Sequence, residues 1–446
     1  MVRSRKSDLR PGQRLQRHVQ AWEKFETSRV VRSLVKHGYK MDFVVPPKLT
    51  GPNEKFATRL PTEQMKIVRA EVAGFLKKGA VRKLSLSEAR ATPGYYSKLF
   101  CVPKPGNKWR MIIDMRGLNS CILKHGFKMQ GVKDVRNLLT PGMFGGVIDI
   151  SDAYYHISVH KSARRYCRFI LDGVVYEYLG LPMGLSCSPR IFTRVSKAAA
   201  DWLRKRGVLL VIYIDDILVL GATREEYTRN VNMVLSLLKK LGFVINESKC
   251  QIEPNNKFIY LGCVWNTTDW NVQLKKNRAQ NLRSSATALV EKGIVTLRSL
   301  AQFIGRVQSA VGIVPLAKAR TRAVLFQFSA VCKTKEDYSK SVTLSARALR
   351  ELKAWTQLSD DASLPISTQE MAVESVDTDA SLYGYGWYWK NEIFSDSIPE
   401  LWSQSHINIL ELWTLRQFLT TAGAELSNIN LCWRVDNNTA LAAIRK

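Results

Sequence analysis

The sequence predicts an α+β protein built from several globular units. Its length of 446 residues corresponds to about three units. Short apolar runs of strand length occur along the chain, of which 208–220 (VLLVIYIDDILVL) is the clearest. Between such runs lie segments with apolar residues spaced three and four apart, such as 225–241, which ends at Gly242 and is typical of an amphipathic helix. Strands and helices are therefore interspersed, and 46% hydrophobic content is sufficient for a sizeable core.

The charge predicts a polyanionic partner. Lys and Arg exceed Asp and Glu by 67 to 38, a formal net charge of +29. An excess of this size on a folded chain indicates nucleic acid, with solubility or membrane-surface charge as the alternatives. The eight cysteines show no CxxC pair, which favours reduced thiols in cytosol or nucleus over disulfides or a zinc site. No secretory signal and no bilayer-length apolar run is visible, so an intracellular protein is expected.

The N-terminal third predicts a basic arm, a connector and a basic hairpin. Residues 1–24 are rich in Arg, Lys and Gln and are expected to be a flexible arm. Residues 95–119 read as strand, Pro/Gly turn and strand, with Lys104, Lys108 and Arg110 around the turn. A basic hairpin suits a phosphate clamp, although basic turns also occur on plain surfaces.

Three acids stand at the ends of apolar runs in the centre of the chain. Asp149 ends the run in 146–159, and Asp215 and Asp216 lie where the hairpin 208–220 is expected to turn. Asp in a tight turn is the alternative explanation of that pair. Like charges held together repel and raise one another's pKa unless a cation neutralises them, and Mg²⁺ prefers such oxygen ligands. In a two-ion site with about 4 Å between the ions, a primer 3′-hydroxyl is activated and the leaving pyrophosphate is stabilised. The acids therefore predict nucleotidyl transfer.

Two further segments differ in character. Residues 271–330 contain ten Lys or Arg and the single acid Glu291 in helical patterns, which suits tracking of a phosphate backbone. After about residue 368 the order is strand, helix, strand and helix, with Asp379, Glu411 and Asp436.

Six motifs, taken in order, resemble those of reverse transcriptases. WRMIIDMRGLN resembles the fingers motif, and VIDISDAYYHI, LPMGLSCSP, YIDD, GFVINESKC and YLG resemble the successive palm motifs. They cover roughly residues 95–265. The tail resembles RNase H, and this order resembles a retrotransposon polyprotein. HINILEL, VDNNTALAAI and HGYKMDFVVPP are most similar to DIRS-type elements with a tyrosine recombinase.

The resemblance implies a right-hand polymerase with an antiparallel palm sheet in the split βαβ manner, followed by a connection and a partial RNase H-like α/β domain. The expected divisions are an arm and connector (1–55), fingers and palm (56–270), a basic helical thumb (271–330), a connection (331–369) and the RNase H-like domain (370–446).

The resemblance also implies roles at the polymerase centre. Asp149, joined by the Ile150 carbonyl, and Asp215 would bind two Mg²⁺ ions, for which Mn²⁺ is a possible substitute, and Asp216 would support them. Lys249 matches the lysine proposed to protonate pyrophosphate, with a plain surface lysine as the alternative.

The nucleotide pocket and the primer site are implied in the same way. Tyr154 would lie beneath the sugar and exclude a ribose 2′-OH, with an ordinary core tyrosine as the alternative. Met183 stands at the position where retroviral enzymes have a polar Gln beside the nucleotide, so the sequence departs from the family here. The expected dNTP contacts are Lys104, Arg110, Ile150, Asp152, Ala153, Tyr154 and Met183. Tyr260, Leu261 and Gly262 match the primer grip.

In the tail, Asp379, Glu411 and Asp436 match three RNase H carboxylates that bind two metals. Asp377 is the rival for the first position. The family's last strand, helices and fourth acid would lie beyond Lys446, so weak or absent RNA hydrolysis is expected.

The expected function is DNA synthesis on RNA and DNA templates from dNTPs, with an RNA template, a DNA primer and RNA–DNA hybrid as partners. An RNA-dependent RNA polymerase, a decayed or domesticated nucleic-acid-binding scaffold, and a maturase or telomerase-like enzyme are the alternatives. Tyr154 argues against the RNA polymerase, and the complete set of palm acids argues against the scaffold. The RNase H-like tail argues against the maturase or telomerase-like enzyme.

Overall fold

The computed structural model describes residues 10–25, 28–104, 106, 108–334, 336–366, 372–423, 425–426 and 429–445. It divides into two compact units, residues 1–366 and 367–446. In the described part of the chain, no helix is both long and apolar enough to cross a membrane.

The strands are β1 (Val81–Leu84), β2 (Leu99–Lys104), β3 (Lys108–Ile113), β4 (Phe144–Asp149), β5 (Arg168–Leu171), β6 (Val174–Tyr178), β7 (Leu209–Tyr213), β8 (Asp216–Gly221), β9 (Gln251–Asn255), β10 (Lys257–Tyr260), β11 (Cys263–Asn266), β12 (Asn271–Leu274), β13 (Ile294–Thr296), β14 (Ser341–Thr343), β15 (Ser363–Pro365), β16 (Ala372–Ala380), β17 (Gly384–Trp389), β18 (Glu392–Ser397) and β19 (Ile429–Arg434). The helices are α1 (Arg14–Arg17), α2 (Val19–Lys24), α3 (Arg29–His37), α4 (Thr62–Lys77), α5 (Leu86–Ala91), α6 (Arg116–Cys121), α7 (Val132–Leu138), α8 (Ser188–Arg204), α9 (Arg224–Leu241), α10 (Lys276–Lys292), α11 (Leu297–Gln308), α12 (Arg322–Val331), α13 (Ala346–Thr356), α14 (Ile407–Thr421) and α15 (Asn438–Arg445).

An antiparallel sheet of order β7-β8-β4-β9 forms the centre of the first unit, as the palm prediction requires. Strands β4, β7 and β8 are buried on both faces, whereas the edge strand β9 is largely exposed. Ile148 and Val219 pack into one core with α8 and α9, whereas Val147 and Leu218 pack into a second core with β10, β11 and α10. Because neighbouring side chains point to opposite faces, two buried faces require the continuous apolar runs seen in the sequence.

The predicted basic hairpin is confirmed by the pairing of β2 with β3. A second small sheet of order β1-β6-β5 lies in the same part of the chain. It contains the buried ion pair between Arg168 Nε and Glu177 Oε2 at 2.8 Å. Arg168 also donates to the Thr92 hydroxyl, so the buried charges are hydrogen-bonded as well as paired.

The N-terminal segment is not a free arm from residue 10 onward, contrary to the sequence prediction; residues 1–9 lie outside the described residues. Leu15 and Trp22 are fully buried, and Trp22 Nε1 donates to the Leu241 carbonyl at 2.9 Å. The Gln13 amide donates to the Tyr155 carbonyl at 2.8 Å. Helix α2, which contains Trp22, packs on α9, and Leu15 joins the same core, although the composition of the segment does not reveal this.

Beyond the palm, a sheet of order β10-β11-β12-β15 and the helices α10 to α13 share one core. Thr296 caps α11 by accepting the Ser299 amide, as its residue type predicts. Strand β14, within the predicted connection, pairs with β13 of the predicted thumb. Helix α13 packs against α10, so these two parts of the chain form one body.

The second unit has a sheet of order β18-β17-β16-β19, in which β16 and β19 are parallel. Helix α14 packs on β16 and β17. Val376 and Phe418 are fully buried between them, and the Trp387 and Phe418 rings meet edge to face with centroids 5.8 Å apart.

Candidate active site

The hairpin β7–β8 turns one residue earlier than predicted. Tyr213 pairs with Asp216, so Ile214 and Asp215 form the turn and Asp216 begins β8. Ile214 has φ 55°, a conformation that is costly for a β-branched residue and typical of functional sites. The prediction placed both acids in the turn and was wrong for Asp216, because pairing register rather than local residue type decides where a hairpin turns.

The end of β4 lies beside this turn. Asp149 is the cross-strand partner of Asp216, and the Ile150 amide donates to the Asp215 carbonyl at 2.9 Å. Asp149 is buried, whereas Asp215 and Asp216 are half-buried. The structure therefore brings Asp149 together with two adjacent acids that lie more than sixty positions further along the chain.

The carboxylates influence one another. Burial, followed by Asp215 and Asp149, raises the pKa of Asp216 to about 6. Burial also raises the pKa of Asp149, as does Asp215, while the Lys249 ammonium opposes this shift. Such a set favours a bound cation, because a cation offsets both the repulsion and the cost of burial.

Lys249 approaches the same centre from the segment after α9. Its Nζ lies 3.9 Å from Asp149 Oδ2, although its side chain is largely exposed. Two groups not predicted from the sequence also contact Asp149. Asn246 donates its amide to the Asp149 carbonyl at 2.8 Å, and the Cys250 sulfur lies 3.3 Å from the Asp149 amide as an acceptor.

The turn after β4 contains the predicted nucleotide residues. Asp152 has φ 49° and is paired with Lys78, whose Nζ lies 2.8 Å from Asp152 Oδ1. Ala153 is buried, and Tyr154 is half-buried with its ring edge to face against Phe192. Burial and then Asp215 raise the pKa of Tyr154 to about 12, so its hydroxyl stays protonated.

A buried histidine joins this turn to the segment after α9. His156 is fully buried, and its Nε2 accepts the Val244 amide at 3.0 Å. Its Nδ1 therefore carries the proton and donates to the Ala153 carbonyl at 3.1 Å. Burial lowers the pKa of His156 to about 4, so the ring is neutral at physiological pH.

The basic hairpin presents its charges on one face. Lys104 pairs with Lys108, and Arg110 pairs with Val102. Residues two apart in a strand, and direct cross-strand partners, share a face of the sheet. Lys104, Lys108 and Arg110 are exposed and therefore line one face, an arrangement that suits a triphosphate.

Met183 is half-exposed in a loop held by Asn119. The Asn119 side chain donates to the Gly184 carbonyl at 2.9 Å and accepts the Ser186 amide at 2.8 Å. The loop is thereby fixed to α6, a connection that its own residues do not indicate.

Of the predicted primer grip, Tyr260 ends β10, and Leu261 and Gly262 form the turn to β11. Tyr260 is buried, and its hydroxyl lies 3.1 Å from the Val211 carbonyl oxygen and 3.2 Å from that of Asp216. Leu261 and Gly262 follow with φ of 52° and 72°. Tyr260 therefore supports the hairpin β7–β8 from beneath.

The second unit contains its own acidic cluster. Asp379, Glu411 and Asp436 place one oxygen each within 4.8 Å of one another, the one such group of three in the described part of the chain. The three palm carboxylates are therefore further apart than this. Burial, followed by Asp379 and Asp436, raises the pKa of Glu411 to about 7, and Glu411 Oε2 is buried without a hydrogen-bond partner. This donor set fits a divalent cation. The rival Asp377 is instead paired with Arg434 at 2.8 Å.

Part of the first unit matches a known protein family. The family model described as reverse transcriptase (RNA-dependent DNA polymerase) matches residues 102–265, which include every palm acid described above. These residues carry a reverse transcriptase domain.

Solved structures agree at the level of the fold. The chain is similar to a foamy viral protease-reverse transcriptase in complex with RNA/DNA hybrid, at 17% identity and a TM-score of 0.58, over 96% of this chain and 58% of that one. It is also similar to a foamy viral protease-reverse transcriptase in complex with dsDNA, at 17% identity and a TM-score of 0.58, over 96% of this chain and 90% of that one. The chain thus spans little more than half of the first of these structures, and the predicted polymerase fold is confirmed.

Several residues around the palm acids were not predicted. Lys78, Asn119 and His156 act through contacts with residues between 3 and 88 positions away. Asn119 and His156 lie inside two of the recognised motifs, and this was the sequence feature that could have indicated them. Lys78 follows an ordinary amphipathic helix and gives no signal.

Proposed function

We propose that this chain is an RNA- and DNA-directed DNA polymerase that adds dNTPs to a primer 3′-hydroxyl. The observation that carries the proposal is the joining of Asp149 to Asp215 in the hairpin turn and to Asp216 at the start of β8, within the segment that matches the reverse transcriptase family model.

The metal site is proposed from the chemistry of the donors. Asp149, Asp215 and the Ile150 carbonyl would hold Mg²⁺, with Mn²⁺ as a substitute, and Asp216 would support them from β8. Two such ions supply Lewis-acid activation of the hydroxyl and neutralise charge on the leaving pyrophosphate. Lys249 would give a proton to the pyrophosphate, which is supported by the position of its Nζ 3.9 Å from Asp149 Oδ2.

The nucleotide would lie between the basic hairpin and the turn after β4. Lys104 and Arg110 would bind the triphosphate, and the backbone at Asp152 and Ala153 would contact it from the other side. The Tyr154 ring, held against Phe192, would exclude a ribose 2′-OH. Met183 would border the base and sugar.

The proposed partners are an RNA template, a DNA primer and their hybrid. Support comes from the net charge of +29 and from the similar foamy viral proteins, which were solved with RNA/DNA hybrid and with dsDNA. The turn at Tyr260, Leu261 and Gly262 would hold the primer end.

A second candidate function belongs to the second unit. Its three converging carboxylates favour a divalent-cation site of the kind that hydrolyses the RNA strand of a hybrid.

The chain is also proposed to be intracellular and to derive from a retrotransposon of the DIRS type. The first point is supported by eight free cysteines. The second is supported by the motifs HINILEL, VDNNTALAAI and HGYKMDFVVPP and by the order of the two units.

The test is primer extension on poly(rA)·oligo(dT) with dTTP and Mg²⁺. Wild type is compared with Asp215→Asn and with Asp201→Asn, whose carboxylate pairs with Arg204 on α8 away from the centre. We expect extension by wild type and Asp201→Asn, and none by Asp215→Asn, with all three binding the hybrid. Extension by Asp215→Asn would contradict the metal assignment. Absence of extension by a folded, hybrid-binding wild type would favour the scaffold alternative.

A further inference from the structure

The turn between β10 and β11 is fixed to the helices of the predicted thumb by one arginine. Arg278, in the first turn of α10, donates through Nη1 to the Leu261 carbonyl at 2.8 Å. Its Nη2 lies 2.8 Å from the Ser309 hydroxyl and 3.3 Å from the Ser309 carbonyl, at the end of α11. The guanidinium of this one residue of α10 thus forms hydrogen bonds both with the turn and with the C-terminus of α11.

The turn is shaped to accept this guanidinium. Gly262 has φ 72°, and a Cβ there would lie 2.4 Å from Arg278 Nη1 and 2.9 Å from Arg278 Cδ. Leu261 also has a positive φ, so its backbone is held in a conformation that needs support from its surroundings. The Lys275 amide donates to the Gly262 carbonyl at 3.2 Å, which gives α10 a second bond to the same turn.

The other side of the turn is attached to the catalytic hairpin. The Tyr260 hydroxyl contacts the backbone carbonyls of Val211 in β7 and Asp216 in β8. A continuous path of hydrogen bonds therefore runs from the acid-bearing hairpin through Tyr260 and the turn to Arg278 and Ser309.

We propose that Arg278 is a positioning residue, which locks the Leu261–Gly262 turn to the two thumb helices and so sets where a primer end is held relative to the palm acids. The proposal rests on the proposed function, in which this turn holds the primer. A planar guanidinium suits the task because it bonds several oxygens in a fixed geometry, whereas an ammonium on a flexible stem does not.

Helix α10 offers a matched control. Arg283 donates to the Leu358 carbonyl at 2.8 Å and pairs with Asp360, but it makes no bond to the turn. Arg278→Met and Arg283→Met therefore remove equivalent side chains from the same helix, and only the first removes the contact with the turn. Arg278→Lys keeps the charge but not the geometry.

The experiment measures the dissociation rate of a fluorescent DNA primer on an RNA template, and then KM for primer–template, KM for dTTP and kcat. We expect Arg278→Met to raise the dissociation rate and the KM for primer–template about tenfold, with a smaller rise for Arg278→Lys, and to leave the KM for dTTP unchanged. Arg283→Met should match wild type in all of these.

Two results would overturn the proposal. One is wild-type dissociation and KM in both Arg278 variants. The other is an equal loss in Arg278→Met and Arg283→Met, which would mean general damage to the helix. The dissociation rate is measured without nucleotide addition, so it tests the role of Arg278 even if wild type extends no primer. Failure of wild type to extend a primer would count against the proposed function alone.

Discussion

The Ile150 amide donates a hydrogen bond of 2.9 Å to the Asp215 carbonyl. This bond joins the end of β4 to the turn of the hairpin β7–β8, beyond the last cross-strand pair, Asp149 with Asp216. It therefore fixes the relation between the two acid-bearing segments through the backbone, without depending on the carboxylates themselves. The relative position of the two segments is thus set by the backbone, whatever the carboxylates bind.

Sugar selection should depend on the Tyr154 ring. Tyr154→Val removes the ring that packs on Phe192, and we expect the preference for dTTP over UTP, measured as the ratio of kcat/KM values, to fall about tenfold or more. Tyr155→Phe, at the buried neighbouring position, is the control and should keep the wild-type ratio. An unchanged ratio in Tyr154→Val would show that another group excludes the 2′-OH.

Stability should fall in mild acid because of His156. Its pKa is about 4 in the folded protein, because of burial, and about 6.5 in an unfolded chain. The unfolded state therefore binds more protons between these values, so the free energy of unfolding decreases as the pH falls from about 6.5 to 4, by on the order of 3 kcal/mol. Denaturant unfolding at pH 7 and pH 4.5 measures this change. In His156→Gln, the free energy of unfolding should change less between pH 7 and pH 4.5 than it does in wild type. A change as large as that of wild type would assign the effect to other groups.

The acidic cluster of the second unit should be destabilising without metal. Glu411→Gln removes one of three converging like charges. We therefore expect the free energy of unfolding of the metal-free unit to rise by about 1 kcal/mol at pH 8. The gain should shrink below pH 7, the pKa of Glu411, because the wild-type side chain is then protonated.

The same variant tests metal binding. Mn²⁺ should raise the unfolding temperature of wild type but not of Glu411→Gln. Glu425→Gln, which removes an exposed partner of Lys390 in the same unit, should respond to Mn²⁺ as wild type does. A full Mn²⁺ response in Glu411→Gln would exclude this carboxylate as a ligand.

Packing of the palm sheet should be sensitive at Gly146. A Cβ at this position would lie 2.0 Å from the Tyr227 hydroxyl oxygen and 2.5 Å from the Gln251 carbonyl oxygen. We expect Gly146→Ala to cost about 2–3 kcal/mol in denaturant unfolding. Combining it with Tyr227→Phe should recover part of the loss, because one of the two contacts disappears. Gly126→Ala, where no atom lies within 4 Å of the added Cβ, should have little effect.

The sequence by itself determined the local elements and the chemistry. The apolar runs predicted β4, β7 and β8, the three- and four-residue spacing predicted α9 with Gly242 at its end, and the ordered motifs indicated the polymerase fold. These features are encoded by neighbouring residues, since periodicity and turn chemistry act over a few positions. The positions of Asp149 at the end of a strand and of Asp215 in a hairpin turn were predictable for the same reason.

Only the tertiary structure decided how these elements meet. It moved the hairpin turn to Ile214 and Asp215, buried Leu15 and Trp22 of the expected arm, and buried Tyr260 beneath the hairpin β7–β8. It also paired Lys78 with Asp152 across 74 positions and Asn119 with the loop of Met183 across 65. Such contacts depend on register and on packing between segments that are distant in the chain, and no local pattern records which distant partner a residue will find.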